Sequence, residues 1–160
     1  MQNQELLLSL EGLVSGVPHP ITNLANTAAL LWQQLPEINW VGFYLMDKGS
    51  LWLGPFAGKP ACTSIAPGRG VCGTAFMQNE TLVVPDVHAF AGHIACDAAS
   101  RSEVVVPLHA DVRVIGVLDV DSPITDRFSQ ADKSLLEDVA RLLETHCDFA
   151  KTGYDLLMPQ

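Results

Sequence analysis

The stretch SEVVVPLHADVRVIGVLDVDS, residues 102–122, decides the fold. Residues 102–108 and 112–121 are apolar runs rich in β-branched side chains, with a short polar segment, His109–Asp111, between them. This pattern predicts two antiparallel strands joined by a tight turn. Side chains two apart on a strand share a face. Val117, Asp119 and Asp121 therefore point one way, and Leu118 and Val120 the other. Two carboxylates on one face, about 7 Å apart, repel each other unless water or a cation meets them. Folding the pair about residues 110–111 is expected to bring Glu103 near residues 118 and 119. Glu103, Asp119 and Asp121 then either face solvent or line one pocket. Such a pocket suits an ammonium ligand or a general acid whose pKa is raised by like charge.

Working outward, residues 40–46 (WVGFYLM) and 51–56 (LWLGPF) flank Asp47-Lys48-Gly49-Ser50 and predict a second hairpin. Residues 81–84 (TLVV) predict a further strand, and residues 57–70, rich in Gly and Pro, a loop. Helical spacing of Leu6, Leu7, Leu10, Leu13 and Val14 predicts a helix over 5–15. A second helix is expected over 23–34, stopped by Pro36, and a short one over 71–78. Ser129-x-x-Asp132 has the form of a capping box and opens a last helix whose stripe is Leu135, Leu136, Val139, Leu142, Leu143 and His146. Most strand connections are too short for crossover helices. The expected class is α+β, with a mainly antiparallel sheet flanked by helices, in a single domain over residues 1–160.

Composition narrows the function. The chain is 48% hydrophobic and 17% charged, a globular balance. Nine basic against eighteen acidic residues give a net charge of −9, which argues against nucleic acid and against a polybasic membrane anchor. No apolar run approaches the roughly 20 residues that span a bilayer. The N-terminus lacks a basic segment ahead of its leucines, so it does not read as a signal peptide. The expected location is cytoplasmic. There, four cysteines read as metal ligands, catalytic thiols or inert core residues rather than as a disulfide framework.

Three of the four lie in or beside loops. Cys62 lies in the Gly/Pro-rich segment and Cys72 next to it, and Cys96 sits in 85–100 (PDVHAFAGHIACDAAS). Sixteen residues with no period are long for a compact domain. Their apolar content (Val87, Phe90, Ile94, Ala95, Ala98, Ala99) suggests a lid rather than disorder. Cys147, near the end of the last helix, reads as filler. His88 and His93 with Cys62, Cys72 and Cys96 offer metal-ligand types, but no C-x-x-C pair or helical H-x-x-x-H is present, so no metal is expected. Gly68-Arg69-Gly70-Val71-Cys72-Gly73 lacks the ending of a phosphate loop; its helix start could still hold a small carboxylate. Loop thiols with an acidic pocket point to redox chemistry on a small cationic or zwitterionic molecule. A thiolate attacks, a protonated carboxyl helps an oxygen depart, and a second cysteine resolves the sulfenic acid. Trp40, Phe43 and Tyr44 offer an apolar wall.

These residues carry a resemblance. The runs 39–44 (NWVGFY), 54–62 (GPFAGKPAC), 68–73 (GRGVCG), 86–88 (DVH), 92–100 (GHIACDAAS) and 116–122 (GVLDVDS) closely resemble the free methionine-(R)-sulfoxide reductases, single-domain GAF proteins. The resemblance implies a GAF fold, with a six-stranded antiparallel sheet and helices packed on it, usually dimeric. It implies reduction of free L-methionine (R)-sulfoxide, thioredoxin as reductant, and no cofactor. By this resemblance Cys96 is the attacking thiol, Cys62 its resolving partner and Cys72 an auxiliary thiol. Glu103, Asp119 and Asp121 are implied to hold or protonate the sulfoxide and bind the amine, and Trp40 and Tyr44 to meet the methyl end. Cys147 inherits no role. The alternative is a non-catalytic GAF sensory module that binds a small molecule, since one fold hosts many functions.

Overall fold

The structure is a computed structural model and describes residues 2–94 and 96–151. Ala95 of the expected lid lies outside the described residues, as do the two ends of the expected 1–160 domain. Helices α1 (Gln2–Val14) and α2 (Pro20–Gln34) come first. Helix α2 starts earlier than the expected residue 23 because Pro20 occupies its first turn, where a missing N–H costs nothing. Strands β1 (Trp40–Asp47) and β2 (Ser50–Gly58) form the first hairpin. Its turn residues Lys48 and Gly49 have φ of 48° and 85°, the two positive values of a tight two-residue hairpin turn.

The expected loop at 57–70 contains a short strand, β3 (Ser64–Ile65), paired with Leu51 and Trp52 of β2. Two residues carry no readable period, so only pairing reveals it. Helix α3 (Gly70–Gln78) and strand β4 (Leu82–Val84) follow, and then β5 (Ser102–Ala110), β6 (Arg113–Ser122) and α4 (Gln130–His146). The capping box is present: the Ser129 hydroxyl accepts from the Asp132 amide at 3.2 Å, and the Asp132 carboxylate accepts from the Ser129 amide at 2.8 Å.

The sheet has six strands in the order β3-β2-β1-β6-β5-β4, and every pairing is antiparallel. Helices α1, α2 and α4 cover one face, where Phe43, Leu108 and Leu118 meet Leu10, Leu24 and Leu136. Burying a side chain of this size contributes roughly 1.5–3 kcal/mol. The other face carries Tyr44, Val105 and Val117 against Val71 and Ala75 of α3 and Val87 of the following loop. Both faces are covered, so the central strands read as continuous apolar runs rather than as alternation. Among the described residues no helix is long and apolar enough to cross a membrane.

Gly116 shows how closely β6 and β1 approach. A Cβ there would collide with the Tyr44 carbonyl oxygen and press on Leu45. Gly116→Ala is therefore expected to destabilise the protein by about 1–3 kcal/mol in a urea titration, through a strand shift. An unchanged midpoint would show that the strands can part at no cost.

Candidate active site

The acidic triad forms the floor. Glu103 pairs directly with Asp121, and Val105 with Asp119, so all three carboxyl groups project from the α3 face. This corrects the expected placement of Glu103 beside 118 and 119. The turn lies later, with Ala110 paired to Arg113, and an irregularity between Leu108 and His109 moves the register further. Residues directly opposite on antiparallel strands share a face, and this register sets Glu103 beside Asp121. Ligand oxygens from the three groups lie within 4.8 Å of one another. Glu103, Asp119 and Asp121 are only 7%, 6% and 8% exposed, so the pocket arrangement is the one realised, not the solvent-facing one.

Burial dominates their protonation. Glu103 is pushed up to about 8, first by desolvation and then by the charge of Asp119. Asp119 and Asp121 lie well above the carboxylate range, again through burial first, with Asp121 acting on Asp119 and Glu103 acting on Asp121. The site thus stores protons near neutral pH. One oxygen of Asp119 and one of Asp121 are buried with no hydrogen-bond partner among the described residues. Such oxygens call for a donor that arrives with a ligand. The triad is also the one set of described side chains close enough to share a metal ion. His88 and His93 do not join the cysteines in such a set, and His88 is exposed.

Trp40 and Tyr44 form a wall. They alternate along β1 onto the same face, with ring centroids 6.0 Å apart, and Trp40 also stacks on Phe56 at 5.4 Å. The Trp40 Nε1–H donates to the Lys59 carbonyl at 3.1 Å, and the Tyr44 hydroxyl to the Cys62 carbonyl at 2.8 Å. Burial, followed by Asp119, raises the Tyr44 phenol and keeps it neutral. Phe43 does not belong to this wall; strand alternation turns it into the helical core.

The segment 85–100 closes over the cavity. It carries one short 3₁₀ turn, Val87–Ala89, capped by Asp86, whose carboxylate accepts from the His88 amide at 3.0 Å. His93, Ile94, Cys96, Asp97 and Ser100 line the cavity together with the triad, Trp40, Tyr44 and Cys72. Burial, then His88, lowers the pKa of His93. Cys96 is joined by a disulfide to Cys62, with Cα atoms 5.3 Å apart across 34 residues of chain. Cys62 does not itself line the cavity; it reaches the site through this bond. Cys72, in the first turn of α3, is a buried free thiol that lines the cavity with Asp119. Burial and then Asp119 push its pKa well up, so it stays protonated. Cys147 is remote and accepts from Asn23 Nδ2 at 3.5 Å, which agrees with its reading as filler.

Asn39 had drawn no role from the sequence. Its side-chain N–H groups donate to Asp97 Oδ2 at 3.1 Å and Ser100 Oγ at 3.2 Å, and its backbone N–H to the Asp121 carbonyl at 2.9 Å. It clasps the Cys96 loop to the strand that carries the acids. No spacing rule marks such a residue; its only signal is its position just before Trp40. Asn39→Ala is expected to lower kcat by about 10- to 100-fold with little change in KM, because a displacement near 1 Å has effects of that size. Steady-state kinetics check this; an unchanged kcat would mean that the loop holds itself.

A six-stranded antiparallel sheet with a roofed cavity on one face defines the class: residues 19–146 match the family model of the GAF domain. The chain is 49% identical over 140 residues to the free methionine-R-sulfoxide reductase of Escherichia coli, covering 88% of this chain and 85% of that protein. It is 44% identical over 154 residues to the enzyme of the same name from Saccharomyces cerevisiae, covering 91% and 86%. The crystal structure of free methionine-R-sulfoxide reductase from Neisseria meningitidis in complex with its substrate superposes with a TM-score of 0.87 at 46% identity, covering 90% and 87%. The chain belongs to the free methionine-R-sulfoxide reductase family of GAF proteins.

Proposed function

We propose that this chain reduces free L-methionine (R)-sulfoxide to L-methionine. The observation that carries the reading is one cavity that joins the Cys96 side chain, already in a disulfide with Cys62, to three buried carboxyl groups that retain protons. The sulfoxide sulfur is electrophilic, and its oxygen leaves only when protonated. The Cys96 thiolate attacks that sulfur while a carboxyl of the triad delivers a proton to the oxygen. The S–O bond breaks and the doubly protonated oxygen departs as water, leaving a Cys96–methionine sulfonium; water then adds to the Cys96 sulfur, the S–S bond breaks, methionine leaves with that electron pair, and one proton is released as Cys96 becomes a sulfenic acid. Cys62 attacks this sulfenic sulfur and expels water, forming the Cys62–Cys96 disulfide. Overall, two thiols and one sulfoxide become one disulfide, methionine and water. Trp40 and Tyr44 pack the methyl end, and Cys72 serves as an auxiliary thiol.

Thioredoxin is the proposed reductant, which fits action in the reducing cytoplasm. Both bonded cysteines are partly exposed, so an incoming dithiol has access to the bond. A homodimer is proposed as well; α1 leaves Leu8 62% and Leu13 42% exposed, a surface that a second copy would cover.

Reduced protein mixed with one equivalent of the R sulfoxide under argon is expected to form one methionine and lose two hydrogens by mass, with Cys62 and Cys96 joined. Supplying thioredoxin, its reductase and NADPH should make turnover continuous. The S epimer and peptide-bound sulfoxide should be inert, since the 85–100 segment roofs the cavity. Binding of the sulfoxide with no disulfide and no methionine would instead describe a sensory module.

A further inference from the structure

Attack on a sulfoxide needs Cys96 as a thiolate, so some group must take the thiol proton. The residues lining the cavity narrow the choice. The acidic triad is buried and its pKa values are pushed up, so those groups hold protons rather than collect them. Tyr44 and Cys72 are likewise pushed up and stay neutral. Arg69, at the start of α3, lines the cavity too but has no acceptor atom. Asp97 uses both carboxylate oxygens: Oδ2 accepts from Asn39 at 3.1 Å and Oδ1 from the Ala99 amide at 2.8 Å. Among the described residues that line the cavity, His93 is the titratable group that remains.

Its placement suits the task. The His93 amide donates to the Phe90 carbonyl at 3.2 Å, and the Cys96 amide to the Ile94 carbonyl at 3.1 Å. These bonds hold the backbone at both residues, and both side chains line the one cavity. Three residues of fully extended chain span about 10 Å, a distance that two side chains facing one cavity can bridge. His93 is half-buried, and neither ring nitrogen has a hydrogen-bond partner among the described residues. Burial, then the charge of His88, lowers its pKa, so the imidazole is neutral and able to accept a proton at neutral pH.

The geometry points to His93 as the general base that deprotonates Cys96. The S–H bond breaks, its proton passes to a ring nitrogen of His93, and its electron pair forms the bond to the sulfoxide sulfur. The oxygen takes its protons from the acidic triad, so base and acids serve different atoms in one pocket. The imidazolium then returns its proton to solvent, which reaches the half-buried ring. The inference rests on the methionine sulfoxide reading of the cavity.

The test is the pH dependence of methionine formation in a single turnover, followed by rapid quench from pH 5 to 9, on reduced wild type, His93→Gln and His93→Ala. The wild-type rate should be level near neutral pH and fall below roughly pH 6.5 as the imidazole is protonated. It should fall again above about 8 as Glu103 ionises. His93→Gln should lower the plateau about 10²- to 10⁴-fold and move the lower limb up toward the free thiol value of roughly 8.5. Added imidazole should restore part of the rate in His93→Ala. A wild-type rate that climbs about tenfold per pH unit from 6 to 8 overturns the base role, and that result needs no variant to fold. A His93→Gln rate lowered by one factor at every pH, with no imidazole rescue of His93→Ala, also overturns it, as does an unchanged rate. Methionine formation by the wild type keeps the functional reading intact in each of these cases; its absence at every pH overturns both.

Discussion

Cys96→Ser is expected to lower sulfoxide reduction at least about 10⁴-fold, with no methionine formed even in a single turnover. A serine hydroxyl at this position is a weak nucleophile that stays un-ionised at neutral pH, and it cannot pass through a sulfenic acid. Cys62→Ser should behave differently. It retains the attacking thiol, so one methionine per protein should appear rapidly before recycling stalls, leaving a sulfenic acid on Cys96 that a dimedone-type probe traps. Rapid-quench measurement of methionine per mole of protein separates the two variants. Sustained wild-type turnover by Cys62→Ser, with Cys72 also replaced, would sink the resolving role.

Glu103→Gln should separate activity from stability. Burial holds the Glu103 carboxyl at about 8, against 4.5 for the unperturbed group. From the lower value to the upper, the unfolded chain has lost this proton while the folded protein keeps it. The unfolded state thus binds fewer protons, and stability falls as pH rises through that window. The full penalty is on the order of several kcal/mol and is in place above pH 8. Removing the carboxyl removes the penalty, so Glu103→Gln should melt higher than wild type at pH 8–9 and nearly equal to it near pH 4. It should also lose about 10²- to 10⁴-fold in kcat/KM, the usual contribution of a positioned acid. Parallel melting curves for the two proteins from pH 4 to 9 would show that burial of this group carries no such cost. Stability spent on a functional carboxyl is a familiar compromise in active sites.

The comparison of sequence with structure separates local from long-range information. Period-2 alternation was enough to put Asp119 and Asp121 on one face, and the Ser129/Asp132 spacing was enough to start α4, because both depend on residues a few positions apart. Asp47–Ser50 announced its hairpin for the same reason. The short strand Ser64–Ile65 was hidden, since a two-residue edge strand exists only through its partner β2. The Glu103–Asp121 register was also hidden, because an irregularity at Leu108/His109 shifts pairing without leaving a mark in the hydrophobic pattern.

By itself the sequence determined the element types, the one-sided acidic pair, the loop position of its thiols and, through its motifs, a family. Only the tertiary structure decided that three carboxyls are buried, with their pKa values pushed up by that burial, and that Phe43 faces away while Asn39 clasps the Cys96 loop. Alternation and capping are set by bond geometry over a few residues. Desolvation, register and loop closure depend on which distant segments exclude water from one another, and no local pattern encodes that.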